Sequence, residues 1–533
     1  MRVRLETNPV VFTVSVVVII AFLTAGIVAT DALHGFFETV QEGIAESLDW
    51  YYILVVGCFL VFVIWLGASR FGRIRLGPPD SRPKYRYLTW FAMLFTAGMG
   101  IGLVFWSVAE PLSHLADPPM AQPGGVAART EAMRFTFFHW GLHAWAVYIV
   151  VGLSLAYFAY RHDLPLSIRS ALYPLLGKRI HGRIGDAVDT LAVFGTMFGI
   201  ATSLAFGVLQ VNAGLASLGI LQQSTTVQVL LIAVITLAAT FSLLSGLDKG
   251  MLRLSVTNLC ISLALMTFVL FAGPTTDVLS SFVQQVGDYV QTLPQTTLWT
   301  DADAHSGWQA SWTIFYWGWW ISWAPFVGIF IARISRGRTI REFVFGVLLV
   351  PAALTFLWLA VFGNTAFSVD AATGGKLSDK VAQDPAIALF GLLDELPLAK
   401  AATVLATVLV ALYFVTSSDS ASLVIDLLTS GGNVDAPKIQ RVFWSVLEGA
   451  VAAVLLLAGS GGLVALQTAS ITTALPFSVV MIVMCYGLVR ALYADDRRLP
   501  LDRVTLSDPT HERVPECADP KNSPFRDEVQ GAP

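Results

Sequence analysis

Apolar residues fill this chain in long unbroken blocks, with none of the alternation that marks strands. The blocks lie at about 10–30, 51–69, 88–109, 135–160, 187–219, 226–246, 252–273, 308–334, 342–365, 398–428, 441–459 and 470–492. Each is long enough to cross a hydrocarbon core of roughly 30 Å as a helix. The pattern therefore predicts an all-α membrane protein with twelve transmembrane helices. The first block, Val10–Thr30, follows Arg2 and Arg4 as a signal peptide would. It is too long for a signal core and has no convincing small-residue cleavage site, so it reads as a retained helix. Between blocks seven and eight, Val278, Phe282, Val286 and Val290 recur at a spacing of four. That suits a short amphipathic helix lying at the interface, or a loop covering the protein.

Charge placement tests the block count. If the N-terminus is cytoplasmic, the 33 basic residues fall almost wholly on the even-numbered side. Only Arg129, Arg134, Lys376, Lys380 and Lys400 lie on the other side, and the loop 274–306 carries no Lys or Arg. A miscounted span would invert every loop after it, so the alternation supports twelve helices with both termini inside. Composition agrees: 55% of the 533 residues are hydrophobic and 13% charged, leaving an apolar excess that must face lipid. A net charge of −4 gives no nucleic-acid footprint. Cys58, Cys260, Cys485 and Cys517 are far apart and read as inert apolar residues. The tail from 494 to 533 mixes both signs of charge with proline and reads as disordered, without the basic cluster that anionic lipids attract.

Glycine and proline sit where helices should be continuous. AGMGIG (Ala97–Gly102) lies within the third block, and WGWWISWAP (Trp317–Pro325) brings a proline into the eighth. Weak points at matching places in two halves mark the substrate site of inverted-repeat transporters. The halves here would be 88–273 and 308–493, with 1–87 an N-terminal addition and 274–307 an external linker. Close helix packing is the alternative use of such glycines.

Candidate chemistry is aromatic and hydroxylic. HWGLHAWAVY (His139–Tyr148) carries Trp140, Trp145 and Tyr148, which at about 100° per residue fall near 0°, 140° and 80° of one broad helix face. The eighth block holds Trp312, Trp317, Trp319, Trp320 and Trp323, five of the chain's 15 tryptophans. Aromatic faces around one cavity attract a cation that cannot donate hydrogen bonds, worth ~0.5–2 kcal/mol per ring. A packing seam between helices would use the same residues. In the tenth block Thr416 and Ser417 place adjacent hydroxyls within the membrane, beside the carboxylate of Asp419. Such groups suit a hard monovalent cation, or simply bond back to their own helix. His139 and His143 stand one turn apart, but no third ligand is near in sequence and no HExxH follows, so they read as packing residues.

Four segments together resemble the betaine–choline–carnitine transporter family over residues 8–493. They are AGMGIGLVFWSVAEP (Ala97–Pro111), FHWGLHAWAVY (Phe138–Tyr148), FYWGWWISWAPFVGIFIARISRGRTIREF (Phe315–Phe343) and TSSDS (Thr416–Ser420). The resemblance implies two additional N-terminal helices and a 5+5 inverted-repeat core of the sodium-symporter type, assembled as a homotrimer. It implies an aromatic box for a trimethylammonium group at Trp140, Trp145, Tyr148 and Trp320, with Trp323 on the substrate path. Gly98, Gly100 and Gly102 would approach the carboxylate end with backbone groups. Choline carriers of the family often have aspartate where this chain has Gly102, so betaine ranks above choline. One sodium would lie at the carbonyls near Thr96, Met99 and Tyr413 and the hydroxyls of Thr416 and Ser417. A second would need two threonines one turn apart. Thr196 matches one, but Ile200 replaces the other.

The expected protein is thus a transporter, not an enzyme. It would import a methylated ammonium zwitterion into a bacterium through the inner membrane by cation symport. No catalytic residue and no cofactor is expected beyond Na⁺, or H⁺, as coupling ion. The alternatives are a proton-driven choline importer and uptake of dimethylsulfoniopropionate, carnitine, proline or ectoine.

Overall fold

A computed structural model describes residues 7–98, 100–244, 248–302, 306–433, 437–457 and 463–496. Helices account for nearly all of it, and no strand occurs among these residues. In chain order they are α1 (Pro9–Val28), α2 (Thr30–Ser47), α3 (Asp49–Ala68), α4 (Tyr87–Gly98), α5 (Ile101–Ala116), α6 (Gly125–Trp140) and α7 (Leu142–His162). A four-residue α8 (Tyr173–Leu176) precedes α9 (Arg183–Ser217), α10 (Thr225–Leu244), α11 (Asp248–Ala272), α12 (Thr275–Thr297) and α13 (Phe315–Ile334). Then follow α14 (Ile340–Thr373), the short α15 (Lys376–Gln383) and α16 (Ala388–Asp394), α17 (Ala399–Thr429), α18 (Lys438–Leu457) and α19 (Leu463–Asp496). Contacts divide the chain into a main unit ending at Leu488 and a C-terminal unit from Val489. The predicted disordered tail lies outside the described residues, apart from the last turn of α19.

Eleven of the described helices are long and apolar enough to cross a membrane. The remaining predicted span, 88–109, is divided: α4 and α5 have 12 and 16 residues, with Gly100 extended between them (φ −153°, ψ −174°). Block four is also interrupted, at Gly141 (φ −93°, ψ −137°). A Cβ there would lie 2.5 Å from the Phe137 carbonyl oxygen and 2.7 Å from the Phe356 ring, so only glycine fits the close approach. The single-helix reckoning for Trp140, Trp145 and Tyr148 is corrected here, because Trp140 ends one helix and the other two sit on the next.

The eighth block departs from expectation in the opposite way. It runs unbroken through Pro325 in α13, preceded by a π-helical turn at Ala310–Ile314. Proline removes one backbone hydrogen bond, but α13 packs on α7, α9 and α4, which hold it in place. The paired break expected of the two halves is therefore seen only in the first.

Burial separates a centre from a rim. The membrane-crossing windows of α6–α7 and α13 are each 89% buried and that of α9 83%, whereas those of α1, α10 and α11 are 22% buried. The central helices thus have protein on nearly every side, while the rim presents leucine, valine and phenylalanine outward as a lipid-facing surface requires. Asn8 starts α1 by accepting from Val10 N and Val11 N, with Pro9 at the first turn. The segment 275–293 is helical within α12; Val278 is buried and Val290 exposed, and Tyr289 turns inward in its place.

Candidate functional site

Both interruptions lie beside α13: a Cβ on Gly100 would be 3.8 Å from Trp323, and Trp320 bonds the helix end before Gly141. At the first, Gly100 precedes α5, whose leading N–H groups have no partner within the helix and carry its positive dipole end. At the second, the carbonyl of His139 is freed at the end of α6 and accepts from Trp320 Nε1 at 2.8 Å. Trp320 is thereby fixed beside Trp140, with ring centroids 5.0 Å apart and planes at 70°. Tyr148 meets Trp320 edge-on at 6.2 Å and 76°, and Trp145 meets Tyr148 at 5.6 Å and 83°. Edge-to-face pairs of this kind leave several ring faces turned toward one point.

A cavity lies at that point. Its walls are Gly100, Gly102, Leu103, Trp140, Ala144, Trp145, Tyr148, Trp319, Trp320, Trp323 and Thr355. Its volume is about 20 Å³, room for about one water molecule. Tyr148 Oη and Trp323 Nε1 are both buried there without a hydrogen-bond partner among the described residues. A Cβ on Gly102 would come within 2.4 Å of the Trp319 ring and 3.2 Å of Trp140, so that position has no space for a side chain as the rings stand. Of the residues expected to contact substrate, Trp140, Trp145, Tyr148, Trp320, Trp323, Gly100 and Gly102 meet around this one cavity. Gly98 ends α4, and beyond its backbone it lies outside the described residues. Leu103, Ala144, Trp319 and Thr355 are walls the motifs did not single out. Trp319, stacked on Trp320 at 4.8 Å and 14°, lies within the tryptophan cluster and could have been included on that ground.

The residues expected to hold a coupling ion are placed unevenly. Thr416 Oγ1 lies 3.1 Å from the carbonyl oxygens of Leu412 and Tyr413 and accepts from Asn258 Nδ2 at 3.1 Å. Ser417 is half-buried beside it. Tyr413 is buried, with its hydroxyl 2.9 Å from Ser262 Oγ. Met99 lies outside the described residues, as does the side chain of Thr96, whose backbone belongs to α4. Thr196 Oγ1 is buried without a partner among the described residues, and Ile200 is fully buried one turn on. Asp419 accepts from Ser242 Oγ at 2.7 Å.

Behind the aromatic walls stands a residue that motif reading passed over. Glu110, on α5, is fully buried. Its Oε2 accepts from Trp140 Nε1 at 2.7 Å and from Tyr316 Oη at 2.5 Å. Its Oε1 lies 2.7 Å from His139 Nδ1 and 3.2 Å from His114 Nε2. The expectation that His139 has no further ligand-type neighbours is corrected, since the fold brings Glu110 and His114 to it. His143 turns instead to Thr297 Oγ1 at 3.0 Å. An intramembrane carboxylate is a functional signal in its own right, and Glu110 was visible as one within the AGMGIGLVFWSVAEP segment.

Comparison with known proteins bears on the cavity's use. The family model described as "BCCT, betaine/carnitine/choline family transporter" matches residues 10–497. An uncharacterised transporter of Mycobacterium tuberculosis is 50% identical over 94% of this chain and 85% of its own length. A glycine betaine transporter of Acinetobacter baylyi is 47% identical over 92% of this chain and 74% of its own. An osmo-dependent choline transporter of the same organism is 44% identical over 92% and 72%. With its multi-pass helical fold and a family match over nearly its whole length, this chain belongs to the betaine/carnitine/choline transporter family and is a membrane transporter rather than an enzyme.

Proposed function

We propose that the chain imports glycine betaine by sodium symport, working by alternating access in the bacterial inner membrane with both termini cytoplasmic. The observation that carries this reading is the convergence of Trp140, Trp145, Tyr148, Trp320 and Trp323 on one cavity at the N-terminus of α5. A zwitterion fits such a place end to end. Its trimethylammonium group would face the rings, and its carboxylate the leading N–H groups of α5. The unpartnered Tyr148 hydroxyl and Trp323 indole N–H supply further donors. Choline offers those donors one neutral hydroxyl in place of a carboxylate. The relative from Acinetobacter baylyi named for glycine betaine supports the same choice.

The rings touch one another, so a trimethylammonium group enters only when they separate. In this reading sodium binding near Thr416 and Ser417 sets α17 against the α4–α5 break, and the opening and closing of the box follows. The sodium is cargo, and no cofactor takes part. A 5+5 inverted repeat over 88–273 and 308–493 and assembly as a homotrimer belong to the same proposal. Competition separates the substrates: unlabelled betaine should displace labelled betaine from the purified protein at lower concentration than choline does. Displacement by choline first would favour the second reading, a proton-driven choline importer. That reading draws on Ile200 at the position where a second sodium site needs a hydroxyl, and on the relative named for choline. Dimethylsulfoniopropionate, carnitine, proline and ectoine are further competitors in the same assay.

A further inference from the structure

We propose that Glu110 is a positioning residue that acts through Trp140, supplying a buried negative charge behind the aromatic box and so favouring a cationic head group over a neutral one of the same shape. This rests on the reading of the box as the ammonium site. The hydrogen bonding defines the charge. A carboxylate has about four lone-pair sites, and four donor-capable atoms surround this one: Trp140 Nε1, Tyr316 Oη, His139 Nδ1 and His114 Nε2. An indole N–H can only donate; with Tyr316 and both imidazoles donating as well, every site is filled and Glu110 is a carboxylate, the state the inference takes.

The imidazoles do not cancel that charge. When His139 donates from Nδ1, its Nε2 is free to accept from Thr313 Oγ1, 3.0 Å away. When His114 donates from Nε2, its Nδ1 is buried with no partner among the described residues. A proton there would be an unpaired buried donor on a charged ring; with both rings neutral, the cluster carries the one negative charge that the inference assigns to it. All of Glu110, His114, His139 and Tyr316 are essentially inaccessible to solvent, so the charge is weakly screened.

Its position gives it a use. Glu110 is not a wall of the cavity, yet it is bonded to the indole nitrogen of a ring that is. Accepting from that N–H pushes electron density into the indole and strengthens the attraction of its face for a cation. The carboxylate also adds its own field across the ring. A counter-charge placed in the cavity, such as an aspartate at Gly102, would repel a zwitterion's carboxylate. Placed behind Trp140, the charge favours the ammonium end without meeting the carboxylate.

The test compares betaine with 3,3-dimethylbutanoate, which has the same shape and carboxylate but carbon in place of the charged nitrogen. Affinities would be measured by calorimetry on the full chain in lipid nanodiscs, for the unaltered protein, E110Q and E110D. E110M, of similar volume, is the second neutral variant if E110Q yields no folded protein. The unaltered protein should prefer betaine, and the neutral variants should reduce that preference by about tenfold, the scale expected of one weakly screened charge. E110D, which keeps the charge, should retain most of it. If E110Q and E110M weaken both ligands alike and leave the preference unchanged, Glu110 only holds the rings in place and the inference is overturned. If the unaltered protein binds betaine no better than the isostere, the aromatic box is not an ammonium site, and the proposed function fails along with this inference.

Discussion

At the scale of single residues, the site depends on where ring faces point and on which positions have no side chain. Trp320 is held by one hydrogen bond to the His139 carbonyl and touches Trp140, Tyr148, Trp319 and Trp323. In the proposed box, Trp320→Leu removes a cation-binding face worth ~0.5–2 kcal/mol and loosens its neighbours. It should weaken betaine binding by roughly 2- to 30-fold and leave insertion intact, as read by calorimetry and by the yield of folded protein. Unchanged affinity would mean that the cluster is a packing seam. Gly102 makes the complementary case, because a Cβ there meets Trp319 at 2.4 Å. Gly102→Asp forces the ring aside and sets a carboxylate against that of betaine. Its betaine affinity should therefore fall further than its choline affinity, measured by competition on the same preparation.

At the scale of elements, the determining features are helices that stop short. The break at Gly141 exists because the chain passes within contact of Phe137 and Phe356. Gly141→Ala should lower thermal stability, with an overpacking penalty of ~1–3 kcal/mol, measurable as an earlier melting transition in detergent. An unshifted transition would show that the helix can relax there. On α17, Thr416→Ala should raise the sodium concentration needed for half-maximal uptake with little effect on folding. A sodium dependence equal to that of the unaltered protein would remove Thr416 from the ion site.

These elements also show what the sequence could and could not reveal. Hydropathy located the membrane spans because each apolar block is a local property of its own residues. The glycines of 97–102 marked the broken helix for the same reason. Pro325 misled because a proline weakens a helix locally, whereas α13 is held by the helices on either side. Helix α2, amphipathic and directly after α1, went unforeseen because no apolar block marks it. Glu110 was legible as a carboxylate at the edge of the apolar block 88–109, but its partners come from 29, 30 and 206 residues away. Only the fold assembles that set.

At the scale of the whole molecule, a densely buried centre of α6, α7, α9 and α13 stands against a lipid-facing rim of α1, α10 and α11. The cavity sits in the centre, where α5, α6, α7, α13 and α14 each contribute walls. In the proposed alternating access this centre opens to each side in turn, with the α4–α5 break and the Gly141 interruption as its joints. In the proposed reading the energy comes from sodium, held at the hydroxyls of α17. The direct test is uptake of radiolabelled betaine by vesicles reconstituted with the purified chain, under an imposed inward gradient of either sodium or protons. The account predicts accumulation driven by the sodium gradient, suppressed by excess unlabelled betaine and little affected by the proton gradient. Accumulation of betaine or choline under the proton gradient alone, or no gradient-driven uptake of any methylammonium compound, would contradict it.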